Sequence, residues 1–167
     1  GAASLLAGLV IGPLLFGILL PAFLPAVSEA RESAMRLKSA ANIRAQIQAL
    51  IVYSDGYDGD FPPDADGWQD HLMQENALAP DIFRSPRTDG LGEGDVYVPG
   101  LRNTFDGDQV LVYEDPALDP LGTLIGYADS HVDYVLEPDA TRILSGLTLP
   151  DGTPWAPHER DPSATNP

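Results

Sequence analysis

The stretch AASLLAGLVIGPLLFGILLPAFLPAV, residues 2–27, carries no charged side chain, and the first charge in the chain is Glu29. About 20 apolar residues suffice for a helix to cross the hydrocarbon core of a bilayer. A single segment can do so only as a helix, because its backbone must satisfy its own hydrogen bonds there. No basic segment precedes the run, as one would in a secretory signal peptide. We therefore predict a transmembrane helix over residues 1–27 that anchors the protein in membrane lipid.

Proline and glycine residues modify the predicted anchor. Pro21 and Pro25 each remove a backbone hydrogen-bond donor, which predicts a kink around residues 17–25. Gly8 and Gly12 have the small-xxx-small spacing that lets a second membrane helix approach closely. Glycine is also common in membrane helices in general. The pair is therefore compatible with a helix-packing role or with none.

Residues 28–55 continue as an amphipathic helix. Its apolar residues recur at helical spacing on two neighbouring stripes, Ala30, Ala34, Leu37 and Ala41 followed by Ile43, Ile47, Leu50 and Ile51. Anchor and amphipathic segment together predict one helix of about 50 residues, ending near Gly56. The residues expected to face the core are Leu37, Ile43, Ile47, Leu50 and Ile51. We expect Ile47→Ala to be destabilising and Gln46→Ala or Gln48→Ala, off the stripe, to change little.

The remaining sequence predicts an acidic α+β domain over residues 56–150 and an extended, proline-rich tail over residues 151–167. Periodicity and turn residues predict helices at 68–79 and 140–147, and strands at 96–98, 110–113, 123–127 and 131–136. The fold class is therefore α+β, with a small antiparallel sheet packed on the exposed half of the long helix. The strand residues expected to face that helix are Val110, Val112, Leu124, Ile125, Val132 and Val135.

The chain is strongly acidic, with a formal net charge of −16, and only Glu29 and Glu32 are acidic before Ala45. The basic residues nearest the anchor are Arg31, Arg36, Lys38 and Arg44. An acidic surface repels phosphate backbones, so we expect no nucleic-acid partner. Cysteine is absent, which excludes disulfides and thiolate chemistry.

The sequence contains no recognisable catalytic constellation, phosphate-binding loop or dinucleotide fingerprint. No two of its histidines, His71, His131 and His158, have a metal-ligand spacing. Asp129-Ser130-His131 contains the residue types of a hydrolase triad. Adjacent residues on a strand point to opposite faces, so a turn with a surface histidine is the better interpretation. We predict no enzyme activity, no cofactor and no small-molecule substrate.

One loop is a weak candidate for a metal site. Asp55, Asp58 and Asp60 alternate with glycine, and carboxylates in such a loop can wrap a hard cation such as Ca²⁺. The loop lacks the spacing and the closing glutamate of an EF-hand. A solvated acidic loop is the preferred interpretation, with calcium binding as the weaker alternative.

Four segments, in the order expected, resemble one bacterial family. They are ILLPAF (18–23), ARESAMRLKSAANIRAQIQALIVYSDGYDGDFPPD (30–64), DIFRSPRTD (81–89) and YEDPALDPLGTLIGYADSHVDYV (113–135). Together they are similar to the type IV pilin-like proteins called pseudopilins, and more narrowly to a prepilin-type bacterial subgroup. The resemblance implies a long helix that carries a small sheet, with its N-terminus at the cytoplasmic face of the inner membrane.

Two differences from that family bear on function. Pilin-like chains carry a glutamate at the fifth position of the mature helix, and this glutamate is tied to filament assembly. Aligning the family's helix proline with Pro21 places Ser4 at that position. The two cysteines common in the subgroup correspond to Ser39 and Ser85.

Two functions, both non-enzymatic, are compatible with this sequence. The first is a structural subunit of a pilus-like filament or pseudopilus, whose partners are other copies of itself. The second is an accessory single-pass subunit of a larger respiratory, photosynthetic or secretion complex, which it stabilises through its helix and its extracytoplasmic domain. The resemblance implies a single-pass inner-membrane protein with a periplasmic domain, whereas the basic residues that follow the anchor favour the opposite orientation.

Overall fold

The computed structural model describes the backbone of residues 2–76, 78–88 and 94–156, and the side chains of residues 25–75, 78–88 and 94–156. Helix α1 (Ala2–Gly56) ends at the glycine where the sequence predicts its end. Nearly all of the predicted anchor lies outside the described side chains, and the membrane assignment stays a prediction. Among the described residues, no helix combines the length and the apolar character needed to cross a membrane.

The chain divides into two compact units, residues 1–37 and 38–167. In the first unit the side chains of residues 25–34 are exposed, and Arg36 forms an ion pair with Glu32 at 3.5 Å. Leu37 is 70 % exposed, which corrects its predicted place in the core. At about 100° per residue, Leu37 lies roughly 120° around the helix from Ile43 and therefore points away from the buried face.

The second unit contains a four-stranded sheet in the order β1 (Asp95–Tyr97), β2 (Val110–Glu114), β3 (Gly122–Tyr127) and β4 (Val132–Leu136). Every neighbouring pair is antiparallel, so the predicted antiparallel sheet and the α+β class are confirmed. Helices α2 (Trp68–Asn76) and α3 (Asp139–Ser145) lie close to their predicted positions. Two short 3-10 turns, Pro80–Phe83 and Pro116–Leu118, complete the described elements.

One face of the sheet packs on the second half of α1. Ile43, Ile47 and Leu50 are fully buried there, in one cluster with Val112 and Leu124, and Ile51 packs at its margin. Helix and sheet lie in close contact at Gly126 of β3. A Cβ at this position would lie 2.7 Å from Ile43 Cγ2 and would overlap Ile47 Cδ1. The absence of a side chain at Gly126 therefore allows this packing.

The opposite face of the sheet has its own apolar layer. Val110, Tyr113 and Ile125 belong to it, and residues of α3 and of the following segment cover them. Trp155 closes the layer and donates from Nε1 to the Tyr113 hydroxyl over 3.3 Å. Val110, Ile125 and Val135 face away from α1, contrary to prediction. Ile125 and Val135 do so because side chains alternate between the two faces of a strand, whereas Val110 is separated from Val112 by an irregularity in the strand register. Of the predicted tail, residues 157–167 lie outside the described residues.

Gln46 is part of the core, which corrects its predicted place off the buried stripe. Its side chain is fully buried, and Nε2 donates to the Ile82 carbonyl over 2.8 Å and to Asp95 Oδ2 over 2.7 Å. Gln46 follows Ile43 by three residues and so shares its helix face. The polar side chain interrupts the apolar pattern while still filling a position in the core. Gln48, by contrast, is exposed as predicted.

Candidate functional site

A buried pair of serines joins α1 to the segment after the first 3-10 turn. Ser39 and Ser85 are each 2 % exposed, and their hydroxyl oxygens lie 3.5 Å apart. Gly94 packs so closely against Ser85 that a Cβ at Gly94 would overlap the Ser85 Cβ. These are the two serines that the predicted pseudopilin resemblance aligns with the subgroup's two cysteines. Two cysteines placed here would be close enough to pair after a small adjustment of their side chains.

A buried ionic network continues from Ser85. The Ser85 hydroxyl donates to Glu114 Oε1 over 3.2 Å, and Arg87 contacts Glu114 Oε2 and Asp119 Oδ2 at 2.8 Å each. The Tyr134 hydroxyl donates to the same Asp119 oxygen over 2.7 Å. The side chains of Arg87, Glu114 and Asp119 are at most 7 % exposed. The network thus ties the segment at Ser85 to β2, to the loop before β3 and to β4.

Two members of this network, Arg87 and Asp119, stay charged at neutral pH. Burial by itself would raise the pKa of Asp119, but hydrogen bonds from Arg87, Tyr134 and the Leu121 N–H lower the pKa to about 2. Burial alone would lower the pKa of Arg87. The hydrogen bonds and negative charges of Asp119 and Glu114 outweigh the effect of burial, so the pKa of Arg87 is raised. Acid–base catalysis requires a pKa near the working pH. Arg87 and Asp119 therefore hold segments together and are unsuited to transferring protons.

The turn between β3 and β4 brings an aspartate and a histidine together. His131 Nδ1 contacts Asp129 Oδ1, and the His131 ring stacks on Tyr127 with centroids 4.2 Å apart. Hydrogen bonds from the His131 backbone and ring lower the pKa of Asp129. Ser130, at φ 73°, contributes its backbone, whose carbonyl accepts from Arg44 Nε over 3.3 Å. The predicted turn at Asp129-Ser130 with a surface histidine is confirmed, and this turn places the Asp129 and His131 side chains on one side. Among the described contacts the serine hydroxyl does not join them, so no triad forms.

In the loop proposed as the weak calcium candidate, an exposed arginine contacts two of the three aspartates. Arg102 Nε lies 2.7 Å from Asp60 Oδ1, and its Nη2 donates to the Asp58 carbonyl over 2.5 Å. Asp55 is exposed at the end of α1. The described part of the chain contains no group of three or more aspartate, glutamate or histidine residues placed to hold a metal ion. The guanidinium supplies the positive charge that a cation would bring to this loop.

The predicted helix-packing residues Gly8, Gly12 and Pro21 lie outside the described side chains. Comparisons with protein-family models, curated proteins and solved structures find no match to this chain. The pseudopilin resemblance consequently stays a prediction that rests on the four quoted segments.

Sequence reasoning missed the buried roles of Gln46 and Arg87. One weak signal was present for Arg87, which is one of few basic residues in the acidic half of the chain. Its partners Glu114 and Asp119 follow 27 and 32 residues later, beyond the reach of any local pattern. The contact of Ser39 with Ser85 was not predicted; the resemblance only aligned both positions with the subgroup's cysteines.

Proposed function

We propose that this chain is a non-enzymatic, membrane-anchored structural subunit on a pilin-like scaffold, part of a pilus-like filament or pseudopilus. The contact between Ser39 and Ser85 carries the proposal. The resemblance assigned the subgroup's two cysteines to these positions, which are 46 residues apart in sequence. If the four segments resembled the family only by chance, there would be no reason to expect these two side chains to lie in contact in a buried site.

The packing of the sheet on α1 supports the same scaffold. In pilin-like proteins a sheet covers the half of the long helix that leaves the membrane. Here the helix residues Ile43, Ile47 and Leu50 are buried against the sheet, and Gly126 permits the close approach. The aligned segments therefore coincide with the residues that build the helix–sheet contact.

One observation favours a second function. Ser4 stands where pilin-like chains carry the glutamate tied to filament assembly. An accessory single-pass subunit of a larger membrane complex needs no such glutamate. In that role the helix packs on other membrane-protein subunits through Gly8 and Gly12, and the acidic domain covers an extracytoplasmic face.

Membrane attachment is the first test, since both functions require it. The intact chain should stay in the membrane fraction after a carbonate wash. A control with Leu14→Lys and Leu15→Lys should be released, because each charge near mid-bilayer costs roughly 2.5–3.5 kcal/mol. Release of the unmodified chain would refute the anchor and, with it, both functions.

Negative-stain microscopy of the native material separates the two functions. A filament subunit extracted in mild detergent appears in elongated assemblies of many copies, whereas an accessory subunit co-purifies in discrete particles with other proteins. Protease added to intact spheroplasts should digest the acidic domain. Full protection of that domain would place it in the cytoplasm and contradict the assignment to the periplasm.

A further inference from the structure

The loop between β1 and β2 presents an aromatic side chain to solvent. Phe105 is 64 % exposed, and its backbone lies in the left-handed region at φ 52°. Bulky residues rarely adopt this conformation, and an exposed aromatic ring leaves apolar surface in water. Strained residues of this kind are held by their surroundings and concentrate at functional positions. Phe105 therefore has the properties of an anchor for a partner protein.

Hydrogen bonds hold the loop in place around Phe105. The Phe105 N–H donates to Asn103 Oδ1 over 3.1 Å, and Asn103 Nδ2 donates to the Ser54 hydroxyl over 3.1 Å. The Thr104 hydroxyl donates to Gln109 Oε1 over 2.9 Å and closes the loop from the other side. A side chain held in its binding position loses little conformational freedom on association. The loop is thus pre-organised for a contact.

Two exposed carboxylates accompany the ring. Asp106 follows Phe105 directly, Asp108 comes after Gly107, and the Asp108 N–H donates to Asp106 Oδ1 over 3.0 Å. We call residues 104–108 the Phe105 tip. A complementary surface must offer an apolar depression with a positive charge beside it, since like charges in contact are repelled.

The first unit of the same chain offers such a surface. Val27 and Leu37 are 55 % and 70 % exposed, and the smaller Ala30 and Ala34 lie between them at helical spacing. The side chains of the two alanines are shorter than those of Val27 and Leu37 on either side of them. Arg31 lies beside this face, is exposed, and has no ion-pair partner among the described residues. We call these residues the 27–37 face.

We infer that the Phe105 tip of one copy docks on the 27–37 face of a second copy. The ring covers Ala30 and Ala34, and Asp106 and Asp108 lie beside Arg31. The inference rests on the proposed role as a self-assembling subunit and identifies the surfaces that such copies use. Because each copy contributes a different surface, the contact can repeat from copy to copy and extend a filament.

Engineered cysteines test this contact in the full chain in its membrane, since the natural sequence contains no cysteine to compete. Two differently tagged chains are co-expressed, one with Phe105→Cys and the other with Ala34→Cys, and are treated with a mild oxidant. The matched control replaces Phe105→Cys by Leu121→Cys, because Leu121 is 65 % exposed in a different loop. The mixed disulfide dimer should form with the first pair in clear excess over the control pair.

Equal yields for both pairs, or no dimer with Phe105→Cys, would overturn the inference. If microscopy shows filaments while this dimer is absent, the interface is wrong and the filament function stands. Discrete particles that contain one copy of the chain would overturn both.

A second variant separates loss of the contact from loss of folding. Asparagine tolerates the left-handed region, so Phe105→Asn should keep or slightly raise the melting temperature. The same change should reduce self-association by roughly tenfold, as loss of an interface anchor does. Leu121→Asn is the control and should leave association unchanged. Undiminished association of the Phe105→Asn variant would refute the role of the ring.

Discussion

The double variant Ser39→Cys with Ser85→Cys should form a disulfide that stabilises the domain. In the natural chain the two hydroxyl oxygens lie 3.5 Å apart in a buried site. A disulfide has an S–S length of about 2.05 Å, so the side chains must approach only slightly. No other cysteine is present to form a competing bond.

The magnitude follows from the length of chain that the bond closes. Residues 39 and 85 are 46 apart, and restricting a loop of this length in the unfolded state is worth about 4 kcal/mol. The substitution also removes the Ser85 hydrogen bonds to Glu114 and from the Arg87 N–H. Each such bond contributes about 1 kcal/mol. A net gain of about 2 kcal/mol corresponds to a rise in melting temperature of roughly 8 °C.

The assay compares the oxidised and reduced forms of the purified double variant by thermal unfolding. The single variants Ser39→Cys and Ser85→Cys give the effect of each substitution without the bond. In cells the same variant reports the location of the domain. The disulfide should form without added oxidant in the periplasm, whereas the cytoplasm keeps thiols reduced.

Two results would contradict this reasoning at different points. If the purified double variant forms no bond even with oxidant, residues 39 and 85 are not in contact and the main support for the pilin-like scaffold is lost. If the bond forms in the purified protein but never in cells, the contact stands and the periplasmic location is wrong.

Three further changes test the packing. Gly126→Val should lower the free energy of unfolding by about 1–3 kcal/mol, because the added side chain collides with the two isoleucines of α1, whereas Gly56→Ala, in open space, should change little. Arg87→Met should cost about 3–5 kcal/mol at neutral pH, because it leaves two buried carboxylates without their guanidinium. Because the pKa of Asp119 is lowered in the folded state, its ionised carboxylate stabilises the fold above about pH 4, and this stabilisation is lost as the pH falls towards 2. In denaturant titrations, the free energies of unfolding of the natural chain and the Arg87→Met variant should therefore converge over that pH range. Gln46→Ala should cost about 1–3 kcal/mol because it removes two buried hydrogen bonds, and Gln48→Ala at its exposed position should stay within about 0.5 kcal/mol.

Local patterns in the sequence were enough to predict most of the elements. The end of α1 at Gly56 and the positions of β1 to β4 follow from helical and alternating apolar periodicity and from turn residues. These features depend on residues within one turn of helix or one strand. Since the controlling interactions are local, the sequence alone carries the information.

Tertiary structure decided which side chains are buried and which surfaces remain free. Apolar Leu37 is exposed and polar Gln46 is buried, because burial depends on what packs opposite each face of α1. The sheet has apolar layers on both faces, so alternation alone could not assign Val110 to one of them. Asn103, which accepts from the Phe105 N–H, also donates to the Ser54 hydroxyl, and this second contact joins residues 49 positions apart in sequence. Contacts between residues distant in sequence form only once the helix and the sheet have come together.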